Sequence, residues 1–133
     1  MKDKTLLEEF KKLHPEKFAS EEEIFSHIHA GDRIFIGTGC GEPQYLVSAL
    51  VNYVRNHPKA FLDAELIHVW TLGVAPYTDE KFQENFRLDS FFVGDSTRNS
   101  VNRGAADYPP VFLSVVHDLF RSELIPVDVA LIQ

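Results

Sequence analysis

Hydrophobic positions recur with a helical period in some segments of the chain and form short, nearly unbroken runs in others. Residues 6–13 place leucine and phenylalanine at helical spacing, and Pro15 follows, so we expect a first helix that ends near His14. Ser20 and Glu23 form a capping box, which predicts the start of a second helix. The amino-terminal third of the chain is therefore predicted to begin with two helices.

The second and third helices each have a predicted apolar side. Ile24, Phe25 and Ile28 share one side of the second helix, and Gly31 is expected to end it in the left-handed conformation. Pro43 suits the first position of a third helix. The expected buried face of the third helix consists of Leu46, Ala49, Leu50, Tyr53 and Val54.

Four short apolar runs predict strands, at residues 33–37, 64–70, 88–94 and 127–133. A further helix is predicted at about residues 97–102, with Gly104 as its end. The pair Pro109 and Pro110 then predicts the start of another helix. Its predicted face consists of Phe112, Val115, Val116, Leu119 and Phe120.

Strands alternate with helices, and the strands are almost continuously apolar, which is typical of strands buried on both faces. The predicted fold class is therefore α/β, an open, mostly parallel sheet with helices on both faces. The last predicted strand runs to Gln133 without a polar tail. We interpret the chain as an N-terminal domain that is truncated at its C-terminal strand, with residues 1–19 as a lead-in helix.

Composition narrows the classes of function. The chain has 133 residues, of which 44% are apolar, and this suits one globular domain with a substantial core. A net charge of -7 without a basic stripe argues against a nucleic-acid surface. One cysteine excludes an intramolecular disulfide, and no stretch has the length of a signal-peptide core or a membrane span. A cytoplasmic protein without a membrane interaction is expected.

The glycine-rich loop at residues 37–43 ("GTGCGEP") follows the first predicted strand. In open α/β sheets, ligands bind at the carboxyl ends of strands, and glycines allow the backbone to approach them closely. The loop has neither the dinucleotide-binding pattern nor the lysine of a phosphate-binding loop. A ligand site and a simple tight turn are both compatible with it.

Two side chains in this loop could have either a chemical or a structural role. Cys40 is a candidate nucleophile, because a helix start can lower the pKa of a thiol, but a small residue that merely fits the turn is the favoured interpretation. Glu42 is interpreted as a partner of the helix dipole. The histidines are scattered, and His27 and His29 point to nearly opposite sides of a helix, so no metal site is predicted.

A second polar segment follows the third predicted strand. Gly94 comes directly after it, and Arg98 lies near a helix start, where its guanidinium could hold a carboxylate or phosphate. A surface ion pair is the alternative for Arg98. Tyr108 precedes the two prolines and either packs at this corner or faces a ligand.

Four segments together resemble a known family. "GDRIFIGTGCGEPQYLVSAL", "ELIHVWTLGVAPY", "FFVGDSTRNSVNRGAADYPPVFLS" and "LIPVDVALIQ" are similar to the N-terminal domain of the acetyl-CoA hydrolase/transferase family. This family includes 4-hydroxybutyrate and butyrate CoA-transferases. The resemblance implies a CoA-transferase-like α/β/α fold, a coenzyme A thioester as substrate and no permanently bound cofactor. It also implies ping-pong transfer of CoA to a short-chain carboxylate through a glutamyl-CoA thioester, and a homo-oligomer in the full enzyme.

The resemblance also implies which residues form the site, because these residues match the family's motifs. The matched positions assigned to substrate binding are Gly39, Gly41, Pro43, Gln44, Gly73, Gly94, Arg98 and Tyr108. Further motif positions are Pro76, Tyr77, Val101, Gly104 and Pro110. The family's catalytic glutamate belongs to a C-terminal domain and matches no glutamate of this chain, so the 133 residues alone are expected to be inactive.

Three other functions stay open at this point. An acetyl-CoA hydrolase would use water in place of the acceptor acid. A non-catalytic acyl-CoA-binding or regulatory module would keep the fold without the chemistry. A phosphosugar isomerase or sensor of similar topology would need a basic or Ser/Thr-rich phosphate loop, which neither glycine segment supplies.

Overall fold

The structure, a computed structural model, describes the backbone of residues 2–133 and the side chains from Thr5 onward. Five parallel strands form one sheet, and helices connect most of them. The strands are β1 (Arg33–Ile36), β2 (Ala64–Trp70), β3 (Phe86–Phe92), β4 (Ala106–Asp107) and β5 (Val129–Leu131). The α-helices are α1 (Lys2–Leu13), α2 (Glu21–Ser26), α3 (Gln44–Asn56), α4 (Asp95–Asn102) and α5 (Val116–Arg121).

The strand order is β4-β3-β2-β1-β5, so the chain moves one place at a time from β1 to β4 and then returns to the other side of β1. Ile34 of β1 pairs with Leu66 of β2 on one side and with Val129 of β5 on the other. Because all strands are parallel, their carboxyl ends meet at a single edge of the sheet. This edge collects the loops that follow β1, β2 and β3.

The sheet is apolar on both faces, as the continuous apolar runs predict. Successive residues of a strand point to opposite faces, so Leu66 and Ile67 of β2 belong to two different core clusters. The cluster with Leu66 includes residues of α2 and α3. The cluster with Ile67 includes Val116 of α5, and Phe120 of α5 packs against it. The predicted α/β fold with helices on both faces is therefore confirmed.

The two predicted amino-terminal helices are present, and the second needs two corrections. Ser20 Oγ accepts a hydrogen bond from Glu23 N at 3.2 Å, as expected of a capping box. Phe25 and Ile28 are buried, but Ile24 is 40% exposed, so its place on a common apolar side was wrong. Successive residues of a helix are about 100° apart, and Ile24 lies on a side of α2 that is more exposed than that of Phe25. Gly31 has the expected left-handed backbone, with φ of +80°, but it does not end α2, which already stops at Ser26 with His27 as its C-cap.

The third helix begins one residue later than predicted, and Pro43 is its N-cap. Its buried face is also shifted from the predicted one, because Val47 and Val51 are fully buried while Leu46 and Tyr53 are only partly so. Positions 47, 50, 51 and 54 form the stripe at helical spacing that faces the sheet. The fully buried residues of this helix are Val47, Ala49, Leu50, Val51 and Val54.

The C-terminal half departs most from the prediction. The third strand, β3, begins and ends two residues earlier than predicted. It begins at Phe86 because Phe86 pairs with Ala64 of β2, and it ends before Gly94 because Gly94 is the N-cap of α4. Strand β4 was not predicted, and its two residues pair with Leu88 and Asp89 of β3. A strand of two residues is too short to show a period.

The predicted long helix after the two prolines is shorter than expected. Residues Leu113–Val115 form a 3-10 turn, and only α5 is α-helical. Phe112 is 81% exposed, so it does not share a buried face with Val116 and Phe120. The last strand was predicted over residues 127–133, and only its centre pairs with β1.

Candidate functional site

The candidate site lies at the carboxyl edge of the sheet, where the loops after β1, β2 and β3 meet. Thr38 joins two of these loops, because its Oγ1 donates to Trp70 O at 2.6 Å and accepts from Trp70 N at 2.7 Å. This side chain continues the β1–β2 pairing beyond the end of β1. The first glycine loop is thereby held beside the end of β2.

The first glycine loop, residues 37–43, contains two kinds of glycine. A Cβ atom at Gly37 would lie 2.9 Å from Gly41 O, so this glycine serves packing. Gly39 and Gly41 have no heavy atom within 4 Å of their Cβ position, and Gly39 has a φ of +60°. Residues Gly39–Gly41 form a 3-10 turn, whose first two amides, those of Gly39 and Cys40, have no acceptor within the turn. The outer part of the loop therefore presents accessible backbone, as the ligand-site interpretation requires.

The second glycine loop, residues 71–75, is packed tightly against the residues that follow the first. A Cβ atom at Gly73 would lie 2.1 Å from Gln44 Nε2. Gln44 Oε1 accepts a hydrogen bond from Val74 N at 3.3 Å. Gly73 and Gln44, both predicted to bind substrate, are therefore in contact with each other, and Pro43 beside them is buried.

Glu42 occupies a position that the sequence did not indicate. Its side chain is buried, and its Oε2 accepts hydrogen bonds from Leu72 N and Gly73 N, both at 3.1 Å. The prediction that Glu42 serves the dipole of the following helix was wrong, because the carboxylate binds the backbone of the second loop instead. Glu42 and Leu72 are 30 residues apart in the sequence, so no pattern of neighbouring residues indicates this contact.

An apolar cavity of about 640 Å³ opens at the ends of β1, β2 and β3. Gly39 and Tyr108 lie in its wall, so the structure brings these two predicted residues together. Its other lining residues are Thr38, Val69, Trp70, Phe92, Val93 and Leu113. Trp70 and Phe92 are the last residues of their strands, and the rule that ligands bind at carboxyl ends could have identified them.

Arg98 and Gly94 line a smaller neighbouring cavity of about 160 Å³ that also touches Trp70 and Val93. Arg98 Nη2 lies 3.0 Å from Asp95 Oδ1, and the Arg98 side chain is 57% exposed. The surface ion pair considered for Arg98 is therefore present, while the guanidinium still borders the cavity. A Cβ atom at Gly94 would lie 2.2 Å from Thr71 O, so this glycine permits a close approach of two loops.

The other motif positions do not line the apolar cavity. Gly104, with a φ of +69°, lines a separate cavity of about 550 Å³ beside the amino-terminal half of β3. Tyr77 is buried, and burial raises the pKa of its hydroxyl. Cys40 is exposed and has a free thiol.

A buried polar group lies under the second glycine loop. His68 Nδ1 is 3.2 Å from Thr71 Oγ1, and burial lowers the pKa of His68 to about 4, so its ring is neutral at pH 7. The ring of Tyr77 lies 6.2 Å from that of His68. Within the described part of the chain, His68 Nε2 and the Tyr77 hydroxyl have no hydrogen-bond partner. These groups are candidates to bind buried water.

Among the residues that the structure describes, no group of three or more histidine, cysteine or acidic side chains could hold a metal ion. No helix within residues 2–133 combines the length and apolarity needed to cross a bilayer.

Comparison with known proteins relates the chain to CoA-transferases. Residues 2–133 match the family described as "Acetyl-CoA hydrolase/transferase N-terminal domain". The chain is 39% identical over 125 residues to the 4-hydroxybutyrate coenzyme A transferase of Clostridium kluyveri, covering 94% of this chain and 28% of that protein. It is 37% identical over 117 residues to the succinyl-CoA:acetate/propanoyl-CoA:succinate CoA transferase of Fasciola hepatica, covering 87% of this chain and 24% of the relative.

Solved structures show the same fold. RipA from Yersinia pestis superimposes with a TM-score of 0.75 at 21% identity, over 92% of this chain and 30% of RipA. An E249A mutant of RipA gives 0.79 at 22% identity, over 92% of this chain and 29% of that one. The chain thus spans less than a third of each of these proteins. The whole described length of the chain matches this family, and two CoA-transferases are similar to it in sequence. The chain therefore belongs to the acetyl-CoA hydrolase/transferase family, whose N-terminal domain it matches.

Proposed function

We propose that this chain is the N-terminal domain of a CoA-transferase that moves CoA from an acyl-CoA to a short-chain carboxylate of the 4-hydroxybutyrate, butyrate or acetate type. The observation that carries the proposal is the apolar cavity beside the exposed backbone of the first glycine loop. An alkyl chain gains free energy by leaving water for such a cavity. A thioester carbonyl at its mouth would meet the amides of Gly39 and Cys40.

The donors at the cavity mouth suit the chemistry of acyl transfer. Attack on a thioester carbonyl places negative charge on its oxygen, and fixed backbone amides stabilise that charge. Arg98 borders the neighbouring cavity and supplies a cation for a carboxylate. The proposed substrate-binding residues are therefore Gly39, Gly41, Gly94, Arg98 and Tyr108, with Pro43, Gln44 and Gly73 as the supporting frame.

The nucleophile is proposed to be a glutamate in a C-terminal domain of the longer protein. This carboxylate attacks the thioester, which forms an acyl-glutamyl anhydride and releases the CoA thiolate. The thiolate then attacks the glutamyl carbonyl and releases the first acid, leaving a glutamyl-CoA thioester. The acceptor carboxylate repeats the two steps in the reverse direction. Glu42 does not take this role, because its carboxylate is buried and bonded to the second loop.

The longer protein is also proposed to contribute contacts at this edge. Large apolar side chains are exposed in the cavity wall and in neighbouring segments of the chain, which suits contact with a second domain or a second copy. Those that are exposed are Trp70, Leu72, Val74, Tyr108, Phe112 and Leu113. We propose that the C-terminal domain of the same chain closes the site from this side.

A thioester-exchange assay tests the proposal. Labelled acetate is incubated with butyryl-CoA, and the appearance of labelled acetyl-CoA is followed for the 133-residue chain and for the longest natural reading frame that contains it. We expect exchange from the longer protein only. Release of CoA without labelled acetyl-CoA would identify a hydrolase.

Two further outcomes would contradict the proposal. Acyl-CoA binding without turnover in the longer protein would favour a binding or regulatory module. Exchange by the 133 residues alone would place the nucleophile within this chain, and the exposed Cys40 would become the first candidate.

A further inference from the structure

Three consecutive backbone amides of the second glycine loop donate hydrogen bonds to two side chains, that of Glu42 in the first loop and that of Gln44, the first residue of α3. Glu42 Oε2 accepts from Leu72 N and Gly73 N, and Gln44 Oε1 accepts from Val74 N. The amides of Leu72 and Gly73 converge on one carboxylate oxygen, and backbone amides that converge in this way form a site for a negatively charged group. In this chain, that group is the protein's own Glu42 carboxylate, while Val74 N donates to the neutral side-chain amide of Gln44.

The environment of Glu42 makes these hydrogen bonds strong determinants of loop position. The residue is only 5% exposed, and no ion pair to it occurs among the side chains that the structure describes. A buried carboxylate needs compensation by hydrogen-bond donors, so the amides of Leu72 and Gly73 cannot turn away without a large loss. Its second oxygen, Oε1, lacks a partner within the described residues, which leaves the two amides as its main stabilisation.

The packing of Gly73 reinforces the same arrangement. Its missing side chain leaves the space that Gln44 fills, since a Cβ atom would lie 2.4 Å from Gln44 Cδ. The contact between these two residues therefore leaves no space for a side chain at position 73. Hydrogen bonds from the loop amides to Glu42, together with the close contact with Gln44, hold the two loops in one relative position.

This lock also decides which amides remain for a substrate. The amides of Leu72 and Gly73 point toward Glu42 and are occupied, whereas those of Gly39 and Cys40 have no acceptor within their own turn. Trp70, which lines the apolar cavity, lies two residues before Leu72 on the locked segment. A loosened second loop would therefore disturb the cavity wall.

We propose that Glu42 is a positioning residue of CoA transfer: it locks the second glycine loop onto the first, so that the first loop alone supplies the amides that face the substrate. The inference rests on the proposed CoA-transferase function for its kinetic consequence. The lock itself is a property of the fold and can be measured without activity.

Hydrogen exchange in the full-length protein that carries this chain tests the lock. Peptides covering residues 70–76 are compared by mass spectrometry between the natural protein, Glu42→Ala, Glu42→Gln and the exposed control Glu84→Ala. We expect Glu42→Ala to exchange about tenfold faster in this segment, because two charge-assisted hydrogen bonds are lost. Glu42→Gln keeps an acceptor oxygen and should stay within about threefold of the natural rate. Peptides of β1 and β3 should be unchanged.

Kinetics on the same variants test the role in transfer. We expect Glu42→Ala to lower kcat/KM about tenfold through both kcat and KM, and Glu42→Gln to restore most of it. Should Glu42→Ala unfold the protein, Gln44→Ala takes its place, with faster exchange limited to residues 73–76.

Two results would overturn the inference. Unchanged exchange of residues 70–76 in Glu42→Ala would show that there is no lock. Faster exchange with normal transfer would show that the lock does not position the site. A natural protein without any transfer activity would refute the proposed function instead, while the exchange data would still decide whether Glu42 holds the loop.

Discussion

Gly94 lies so close to Thr71 that a Cβ atom at position 94 would be 2.2 Å from the Thr71 carbonyl oxygen. The loop after β3 therefore approaches the loop after β2 by a route that only glycine allows. Both loops border the cavity that contains Arg98. The shape of that cavity depends on this contact between two main chains.

Gly94→Ala is expected to destabilise the protein by about 1–3 kcal/mol, because the backbone must move to accommodate the methyl group. Chemical denaturation measures the change. Gly41→Ala is the matched control, since no heavy atom lies within 4 Å of its Cβ position, and it should change stability by less than about 0.5 kcal/mol. Equal effects of the two substitutions would contradict the packing argument.

Leu113→Trp tests the apolar cavity as the site of the acyl chain. Leu113 lies in the wall, and the larger indole should occupy part of the 640 Å³ cavity. We expect kcat/KM for butyryl-CoA to fall roughly tenfold more than that for acetyl-CoA, measured in the longest natural reading frame. Leu124→Trp is the control, because Leu124 is exposed and does not line the cavity. A loss that is equal for both acyl chains would argue against this cavity.

Arg98→Ala separates substrate binding from the surface ion pair. The pair with Asp95 is exposed, so its removal should cost less than about 0.5 kcal/mol of stability. If the guanidinium holds the acceptor carboxylate, KM for that acid should rise about tenfold. Arg103→Ala removes a similar exposed pair, with Glu80, at the other end of α4 and should leave KM unchanged. An unchanged KM in Arg98→Ala would leave only the ion pair as its role.

The raised pKa of Asp89 predicts that the stability of the protein depends on pH. Burial chiefly raises the pKa of this half-buried carboxyl from 3.8 to about 6, and the charges of Glu65 and Asp107 add to the effect while Arg33 opposes it. The folded state therefore binds the proton more tightly than the unfolded chain. Its stabilising contribution is complete below pH 3.8 and is lost as pH rises through about 6.

Asp89→Asn removes the charge that forms above pH 6. We expect it to stabilise the protein by about 1 kcal/mol at pH 7.5, a figure reduced for partial exposure, and to have little effect at pH 3.5. Urea denaturation at both pH values measures the difference. A change of the same size at pH 3.5 and pH 7.5 would show that the amide acts through packing rather than through charge.

Several elements could be predicted because their signals are local. The capping pair Ser20 and Glu23, the left-handed Gly31 and the boundaries of β2 all follow from residues within one turn or one strand. The alternation of apolar runs with helical spacing also sufficed for the parallel α/β fold. By contrast, β4 is visible only through its pairing with β3.

The candidate site could be predicted only in part. The glycine loop after β1 was located, since the end of a strand and three glycines lie together in the chain. The role of Glu42 was missed, because its partner Leu72 is 30 residues away and belongs to another strand's loop. Gly73 was assigned to substrate binding, and its packing against Gln44 appears only when both loops are folded.

The sequence by itself determined the family, the fold class and the edge of the sheet where the chemistry is proposed to occur. It did so because periodicity, turn chemistry and motif order are properties of neighbouring residues. Only the tertiary structure decided which glycines serve packing, which amides are occupied and which side chains form the apolar cavity. Parallel pairing places residues about thirty positions apart in direct contact, and such contacts depend on the arrangement of the strands rather than on any local pattern.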